Sequence, residues 1–212
     1  MIIDNISKIS SLLKFQEGIF YYVQVIQRRK ENPELPKCDM KRYQTFITSM
    51  EDLKIHLPRI KKVCEDFNAR AYISLVPKSL EKLAKQCALE YVKRINSGEY
   101  KRVWDIPNRL ALSYDIRVKI PGEKPYWMFD VDNKEDKDPI LEFLLKNKVE
   151  IVDTIGTPNG CHIVVKVFNP KIIDSYKDGD EDYVLPGEHR FTFRPDCNTI
   201  LYASIPEILI TE

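Results

Sequence analysis

Residues 126–132 read Tyr-Trp-Met-Phe-Asp-Val-Asp, an apolar run that turns acidic at its end. Aromatic and β-branched residues in such a run favour a buried strand. Residues two apart in a strand point to the same face, so Asp130 and Asp132 are expected to project together where the strand ends. Carboxylate oxygens held in this way are the ligands that Mg²⁺ and Mn²⁺ prefer. The stretch therefore predicts a core strand and a candidate cation site.

The residues that follow predict a helix and then two strands. A helix is expected from Asp138-Pro139 to about Lys146, and a strand at 149–154. A Thr-Pro-Asn-Gly turn at 157–160 leads into an apolar strand at 161–168, which is expected to pair with its predecessor as a hairpin. The polar, acidic stretch 174–189 is typical of a surface loop, and a last strand is expected near 199–204.

The first part of the chain also alternates between helical and strand patterns. Helices are predicted at 4–15, after Ser49 and at 80–96, strands at 19–27 and 69–76, and a long excursion with one short helix at 99–125. The pattern indicates an α/β (α+β) protein built on a mixed sheet. We expect an N-terminal αβ lobe at 1–125 and a second lobe at 126–212, or both within one continuous domain.

The predicted hairpin carries further polar groups that suit a phosphate site. His162 is expected to donate to a phosphate oxygen, and the Asn159-Gly160 turn lets a phosphate approach the backbone closely. Lys166 lies an even number of residues after His162, so it is expected on the same face as an added positive charge. Asp196 is a candidate third carboxylate.

Composition limits the kinds of partner. The 33 Lys and Arg residues nearly cancel the 32 Asp and Glu residues, so phosphate contacts must come from local clusters, for which Arg28 and Arg70 at predicted strands are candidates. No apolar run approaches the roughly 20 residues that cross a membrane, and no secretory leader is evident. Five scattered cysteines are expected to be free thiols. We therefore expect a cytoplasmic protein without membrane contact.

The order and spacing of Asp130-Val131-Asp132 and Asn159-Gly160-Cys161-His162, and more loosely Asp196, resemble the archaeo-eukaryotic primase superfamily, which includes primase-polymerases. The resemblance covers about residues 126–204. It implies an RRM-like catalytic lobe at 126–212 and two-metal nucleotidyl transfer with Mg²⁺ or Mn²⁺. Asp130, Asp132 and Asp196 would hold the ions, and His162 would steady the phosphates of a nucleotide. The implied partners are nucleoside triphosphates and single-stranded or primed nucleic acid.

Three other interpretations stay open at the level of sequence. The same acidic site suits a metal-dependent nuclease or phosphohydrolase, which directs water at phosphorus. An RRM-like module without catalysis, of the kind that phages and mobile elements encode, would bind nucleic acid only. Phe129-Asp130-Val131-Asp132 also resembles the nucleophile strand of haloacid-dehalogenase-like phosphatases, although the threonine expected after that motif is not evident. The choice between DNA and RNA, and the oligomeric state, leave no trace in the sequence.

Overall fold

The structure, a computed structural model, describes residues 1–36, 38–180 and 182–205. Its strands form two sheets, and every strand pairing in these ranges is antiparallel. The α/β (α+β) class expected from the sequence is confirmed. The expectation of a mixed sheet is wrong, because each pair of neighbouring strands runs in opposite directions.

The N-terminal sheet has the strand order β1-β11-β4-β2-β3, with a short strand β5 added to β2. Helices α1 and α2 contribute to the apolar core on one face of this sheet, and α3 and α4 pack near Phe20 and Tyr22 on the other. The elements are β1 (Ile2–Asp4), α1 (Ile6–Leu12), β2 (Ile19–Gln27), β3 (Met40–Ile47), α2 (Met50–Asp66), β4 (Arg70–Ser74), β5 (Lys78–Ser79), α3 (Leu80–Ser97), α4 (Ile106–Leu110) and β11 (Asn198–Ser204).

The C-terminal sheet has the order β7-β8-β6-β10-β9. Its elements are β6 (Tyr126–Val131), α5 (Lys137–Lys146), β7 (Ile151–Gly156), β8 (Cys161–Lys166), α6 (Lys171–Asp174), β9 (Asp182–Leu185) and β10 (His189–Arg194). Leaving aside β9, which pairs with β10 at the edge, the chain follows a βαββαβ path. Apolar side chains from α5 and α6 cover one face, so the other face is left for the N-terminal sheet.

The last strand corrects the expected division into lobes at 125 and 126. β11 pairs with β1 and β4 in the N-terminal sheet instead of completing the C-terminal one. Its residues 199–203 are all buried, which suits a central strand covered on both faces. The end of the predicted second lobe, residues 206–212, lies outside the described residues.

The two sheets share part of one apolar core. Met128, Ile155 and Val164 of the C-terminal sheet pack into the same cluster as the residues of β2, α1 and α2. The Asn5 amide nitrogen donates to the carbonyl of Gly156 in one sheet and of Ile200 in the other, at 2.9 Å each. The two sheets are therefore joined by side-chain packing and hydrogen bonds as well as by the chain itself.

Several local predictions can be compared directly with these elements. The Ser49 hydroxyl caps α2 by accepting from the Asp52 backbone N–H at 3.0 Å, and α2 continues through Pro58. The expected loop at 174–189 instead contains β9 and the start of β10, and β3 was not predicted. Within the described ranges, none of the helices has the length and apolar character needed to cross a membrane.

Candidate functional site

A cleft of about 790 Å³ lies between the two sheets. Seven of the predicted site residues line it: Arg28, Arg70, Asp130, Asp132, Asn159, His162 and Asp196. The structure thus brings together residues from β2, β4, β6 and the β7–β8 turn that are far apart along the chain. Most of the cleft's exposed lining is polar, which suits a charged ligand better than an apolar one.

Asp130 and His162 form a cross-strand pair at the centre of the cleft. They lie directly opposite each other on β6 and β8, and the imidazole Nε2 is 3.1 Å from the Asp130 carboxylate. The other ring nitrogen, Nδ1, lies 2.8 Å from the hydroxyl of Thr199, a fully buried residue of β11. Both nitrogens of this buried histidine are therefore occupied by protein groups.

The charge of Asp130 is maintained by its neighbours. Burial raises the pKa of this carboxyl group, but the hydrogen bond from His162 and the positive charges of Arg194 and Arg28 together hold its pKa below the ordinary value of 3.8. The group is therefore ionised at neutral pH, which is the state that a divalent cation requires.

Asp132 follows the end of β6 and is held through its backbone by the β7–β8 turn. A Cβ atom added to Gly160 would lie 1.9 Å from the Val131 carbonyl oxygen and 2.8 Å from the Asp132 carbonyl carbon. Only glycine allows the two backbones to approach this closely. Gly160 was predicted to make room for a phosphate, whereas the structure uses it to place the acidic end of β6.

Four cationic side chains also line the cleft, together with the carboxylates of Glu31 and Asp39. Arg28, Lys30 and Arg70 line the cleft from the N-terminal sheet side, and Arg194 lines it from β10. Arg70 is paired with the buried carboxylate of Glu31 through both Nε and Nη2, and the Arg28 guanidinium lies 3.9 Å from the same carboxylate. Arg70 is therefore held in place by Glu31, while Arg28 is more exposed to the cleft.

Asp196 lies where the N-terminal sheet meets the loop after β10. The buried amine of Lys78 lies near it, and burial together with the charge of Arg117 lowers the pKa of Lys78 to about 8, with Asp196 acting in the opposite direction. The backbone of Asp196 accepts a hydrogen bond from the Ser74 hydroxyl at 3.1 Å. Asp196 thus lies near the buried cation of Lys78.

The carboxylates suit a cation site that a substrate would complete. No three His, Cys, Asp or Glu side chains in the described ranges are grouped closely enough to hold a metal ion. Asp130, Asp132 and Asp196 share the cleft without forming such a group. Mg²⁺ is commonly held by one or two carboxylates, with water and substrate phosphates as its remaining ligands. Asp130 and Asp132 fit that pattern.

Lys166 does not line the cleft, contrary to the prediction. Its ammonium group donates to the Lys124 carbonyl at 3.3 Å, lies 3.6 Å from the Glu123 carboxylate and sits 4.4 Å from the centre of the Tyr126 ring. It does share a face of β8 with His162, but four residues of strand separate the two by about 13 Å. Sharing a face therefore did not place Lys166 in the same site.

Thr199 and Arg194 were not predicted as site residues. Arg194 is the last residue of β10. The alternating pattern His-Arg-Phe-Thr-Phe-Arg at 189–194 is typical of a strand, but it follows an acidic stretch that was predicted to be a loop. Thr199 was recognised only as part of a strand. No local pattern indicates that its hydroxyl meets His162, because 37 residues separate them.

Comparison with known proteins assigns no family to this chain. No family model matches it, and no curated protein or solved structure matches it either. The residues of the cleft are therefore the basis for a function.

Proposed function

We propose that this protein is a primase-polymerase-like nucleotidyltransferase that joins nucleotides on a nucleic-acid strand with the help of Mg²⁺ or Mn²⁺. The observation that carries the proposal is the cleft itself, which Asp130 and Asp132 line together with arginine and lysine side chains. Paired carboxylates beside several cations suit a ligand that is both metal-binding and rich in phosphate. A nucleoside triphosphate has both properties.

In this proposal Asp130 and Asp132 hold the cations, and Asp196 is available at the edge of the same cleft. The bound ions would supply activation of the attacking hydroxyl and stabilisation of the leaving pyrophosphate. The protein's own contribution is rigid placement. β6 is paired on both sides, and Gly160 packs under its acidic end, so the backbone that carries both carboxylates is fixed before a substrate arrives.

The cations of the cleft would bind the triphosphate. Arg28, Lys30 and Arg194 present guanidinium and ammonium groups that match phosphate oxygens. Such contacts neutralise the phosphate charge and orient the reacting phosphorus. Arg70, held by Glu31, would act chiefly by keeping the β2 and β4 ends of the cleft in position.

His162 would hold a proton at Nε2. If the Thr199 hydroxyl donates to Nδ1, the neutral imidazole carries its proton on the nitrogen that faces Asp130 and the cleft. A phosphate oxygen that replaces the Asp130 carboxylate at that nitrogen would then receive the hydrogen bond. Thr199 is in this way the group that sets the direction of the His162 donor.

The test is a product assay with Mn²⁺, labelled nucleoside triphosphates and a short strand, primed or unprimed. The control is Asp130→Asn/Asp132→Asn, which keeps the side-chain shape and removes the charge, and circular dichroism checks that it folds. Strand extension or dinucleotide synthesis that the control lacks is the expected result. Shortened strands would indicate that the protein is a nuclease instead. Undiminished synthesis by the control would contradict the proposed nucleotidyl transfer.

A second candidate function is an RRM-like nucleic-acid-binding module without catalysis. Two observations favour it: both nitrogens of His162 are occupied by protein groups, and the described residues contain no group of three side chains close enough to hold a metal. Oligonucleotide binding with no metal-dependent product in the same assay would select this function.

Both candidates place the protein among nucleic acids inside a cell. We expect it to act in the cytoplasm, where its five cysteines would remain reduced, and in the replication of DNA such as that of a phage. Thiol titration of protein isolated without added reductant would test the first of these expectations.

A further inference from the structure

The connection between α3 and β6 exposes an unusual number of aromatic side chains. Tyr100, Trp104 and Tyr114 are 62%, 78% and 61% exposed, and Phe67 at 37% is the only other aromatic residue exposed in the described part of the chain. A buried aromatic side chain removes roughly 150–250 Å² from water. Exposing three of them in one connection forgoes that stabilisation, which points to a surface that binds something.

Positive charge accompanies the first two rings. Lys101 and Arg102 lie between Tyr100 and Trp104, both are exposed, and neither forms a salt bridge with any described residue. The exposed Lys85 on α3, by contrast, is paired with Glu81. Cations that lie between two exposed rings and form no salt bridge with a described residue favour an anionic ligand that also carries flat, stackable groups.

The backbone at this point is strained. Arg102 has φ of 57°, in the left-handed region that non-glycine residues seldom adopt, and it begins the 3₁₀ turn Val103–Asp105 that carries Trp104. Asparagine or glycine would adopt this conformation more easily than arginine does.

We propose that Tyr100, Lys101, Arg102 and Trp104, the aromatic-basic face, bind single-stranded nucleic acid. Bases stack on the two rings while the backbone phosphates contact Lys101 and Arg102. The partner class rests on the proposed function, in which this strand is the one that is extended or copied, but the binding itself is measurable without any reaction.

A second aromatic and basic contact connects this region to the cleft. The Arg117 guanidinium stacks on Tyr114 at 3.2 Å from the ring centre, and it donates to the Pro195 carbonyl at 3.4 Å. Pro195 lies between Arg194 and Asp196, which both line the cleft. Suitable surface for a single strand is therefore present at the edge of the cleft as well as on the aromatic-basic face.

A protein partner is the competing occupant, because α3 also exposes the aliphatic side chains of Leu89, Val92 and Ile95. Aliphatic groups give little to a nucleic acid, whereas they would suit an apolar partner surface. An apolar partner does not explain Lys101 and Arg102, which are exposed and form no salt bridge with a described residue. A nucleic acid carries both phosphates and bases, so it suits these cations and the two rings together.

The experiment measures fluorescence anisotropy of labelled oligothymidine and oligouridine. Tyr100→Ala/Trp104→Ala is expected to weaken binding by about thirtyfold or more, because two stacked bases lose their rings. The matched control is Ile55→Ala, which removes an exposed apolar side chain from α2 and should bind as the wild type does.

Lys101→Ala and Arg102→Gly should each lower the salt dependence of log K by about one, while Lys85→Ala should leave it unchanged. Glycine is chosen at 102 because it adopts the left-handed conformation without strain.

Equal affinity of the wild type and Tyr100→Ala/Trp104→Ala would overturn the inference, and so would a wild type that binds neither oligonucleotide. Trp104-dependent self-association in sedimentation without oligonucleotide binding would assign the face to a second protein chain instead. Asp130→Asn/Asp132→Asn should retain oligonucleotide affinity. Trp104-dependent binding together with absent nucleotidyl transfer would therefore refute the proposed reaction and leave the binding face standing.

Discussion

Two strands of the C-terminal sheet each carry a histidine that is paired with an aspartate. The two pairs differ in burial and in their surroundings. Nitrogen to oxygen distances are 3.1 Å for His162 and Asp130 and 2.9 Å for His189 and Asp136. His162 is 7% exposed and its second nitrogen meets Thr199, whereas His189 is 31% exposed and lies beside the turn at Gly187. Only the first pair lines the cleft.

The comparison shows that a histidine beside a carboxylate does not by itself identify a site. The second pair ties the start of β10 to the 3₁₀ turn Lys134–Asp136, which is a structural task. The first pair lines a cleft that also contains Asp132, three further carboxylates and several cations. The predictions below separate the two pairs, from the largest expected effect to the smallest.

The largest difference is expected at the glycines beside the pairs. Gly160→Ala should lower the free energy of unfolding by about 3 kcal/mol, because its Cβ would collide with the backbone of Val131, which the strand ladder holds in place. Gly187→Ala should lower the free energy of unfolding by about 1 kcal/mol. Its Cβ would contact only the movable His189 ring, and alanine would be strained at the positive φ of 88°. Urea denaturation measures both. Gly156→Ala, whose Cβ would have no neighbour closer than 3.9 Å, is the control, and an equal loss there would contradict the clash.

Activity should distinguish the two histidines. His162→Gln is expected to reduce nucleotidyl transfer about a hundredfold, because the donor at Nε2 beside Asp130 is displaced. His189→Gln should leave the rate unchanged, since His189 does not reach the cleft. Rates from the strand-extension assay are compared at equal amounts of folded protein. A similar loss in both variants would mean that the effect is on folding instead of on the site.

The hydroxyl behind His162 should matter for stability as well as for activity. Thr199→Val keeps the shape of the side chain but leaves the buried Nδ1 without its partner, so a loss of about 1–2 kcal/mol is expected. Thr192→Val, which removes a hydrogen bond of 2.8 Å to Asp182 at an exposed position, should cost about 0.5 kcal/mol. If Thr199 only packs, its variant will lose stability while the pH profile of nucleotidyl transfer stays as it is in the wild type.

The smallest effect concerns acid stability. Burial raises the pKa of both Asp130 and Asp136. Hydrogen bonds and positive charge lower it, and the net result for each group is a pKa below the ordinary 3.8. A lowered pKa contributes stability that is fully present above 3.8 and is lost as the pH falls through the folded-state value. Asp130→Asn and Asp136→Asn should each therefore lose less stability on acidification than the wild type does. Urea titrations from about pH 7 down to about pH 3 measure this, and curves parallel to the wild type would exclude the contribution.

Much of the local structure followed from the sequence. The apolar run before Asp130 is a strand, the stretch 19–27 is β2 at the predicted bounds, and Ser49 caps α2 as expected. These features depend on neighbours a few residues apart, so periodicity and capping chemistry identify them. The β9 and β10 hairpin was missed because its acidic surroundings obscured a short alternating pattern.

The sequence by itself determined that this chain is an α/β protein with two aspartates at the end of a buried strand and a histidine on a second strand. Only the tertiary structure decided that β11 belongs to the N-terminal sheet, that Thr199 meets His162, that Arg194 joins the cleft and that Lys166 points elsewhere. The physical reason is distance along the chain. Hydrophobic periodicity specifies which face of a strand is buried, but which strand lies beside it depends on packing among residues that are far apart in sequence.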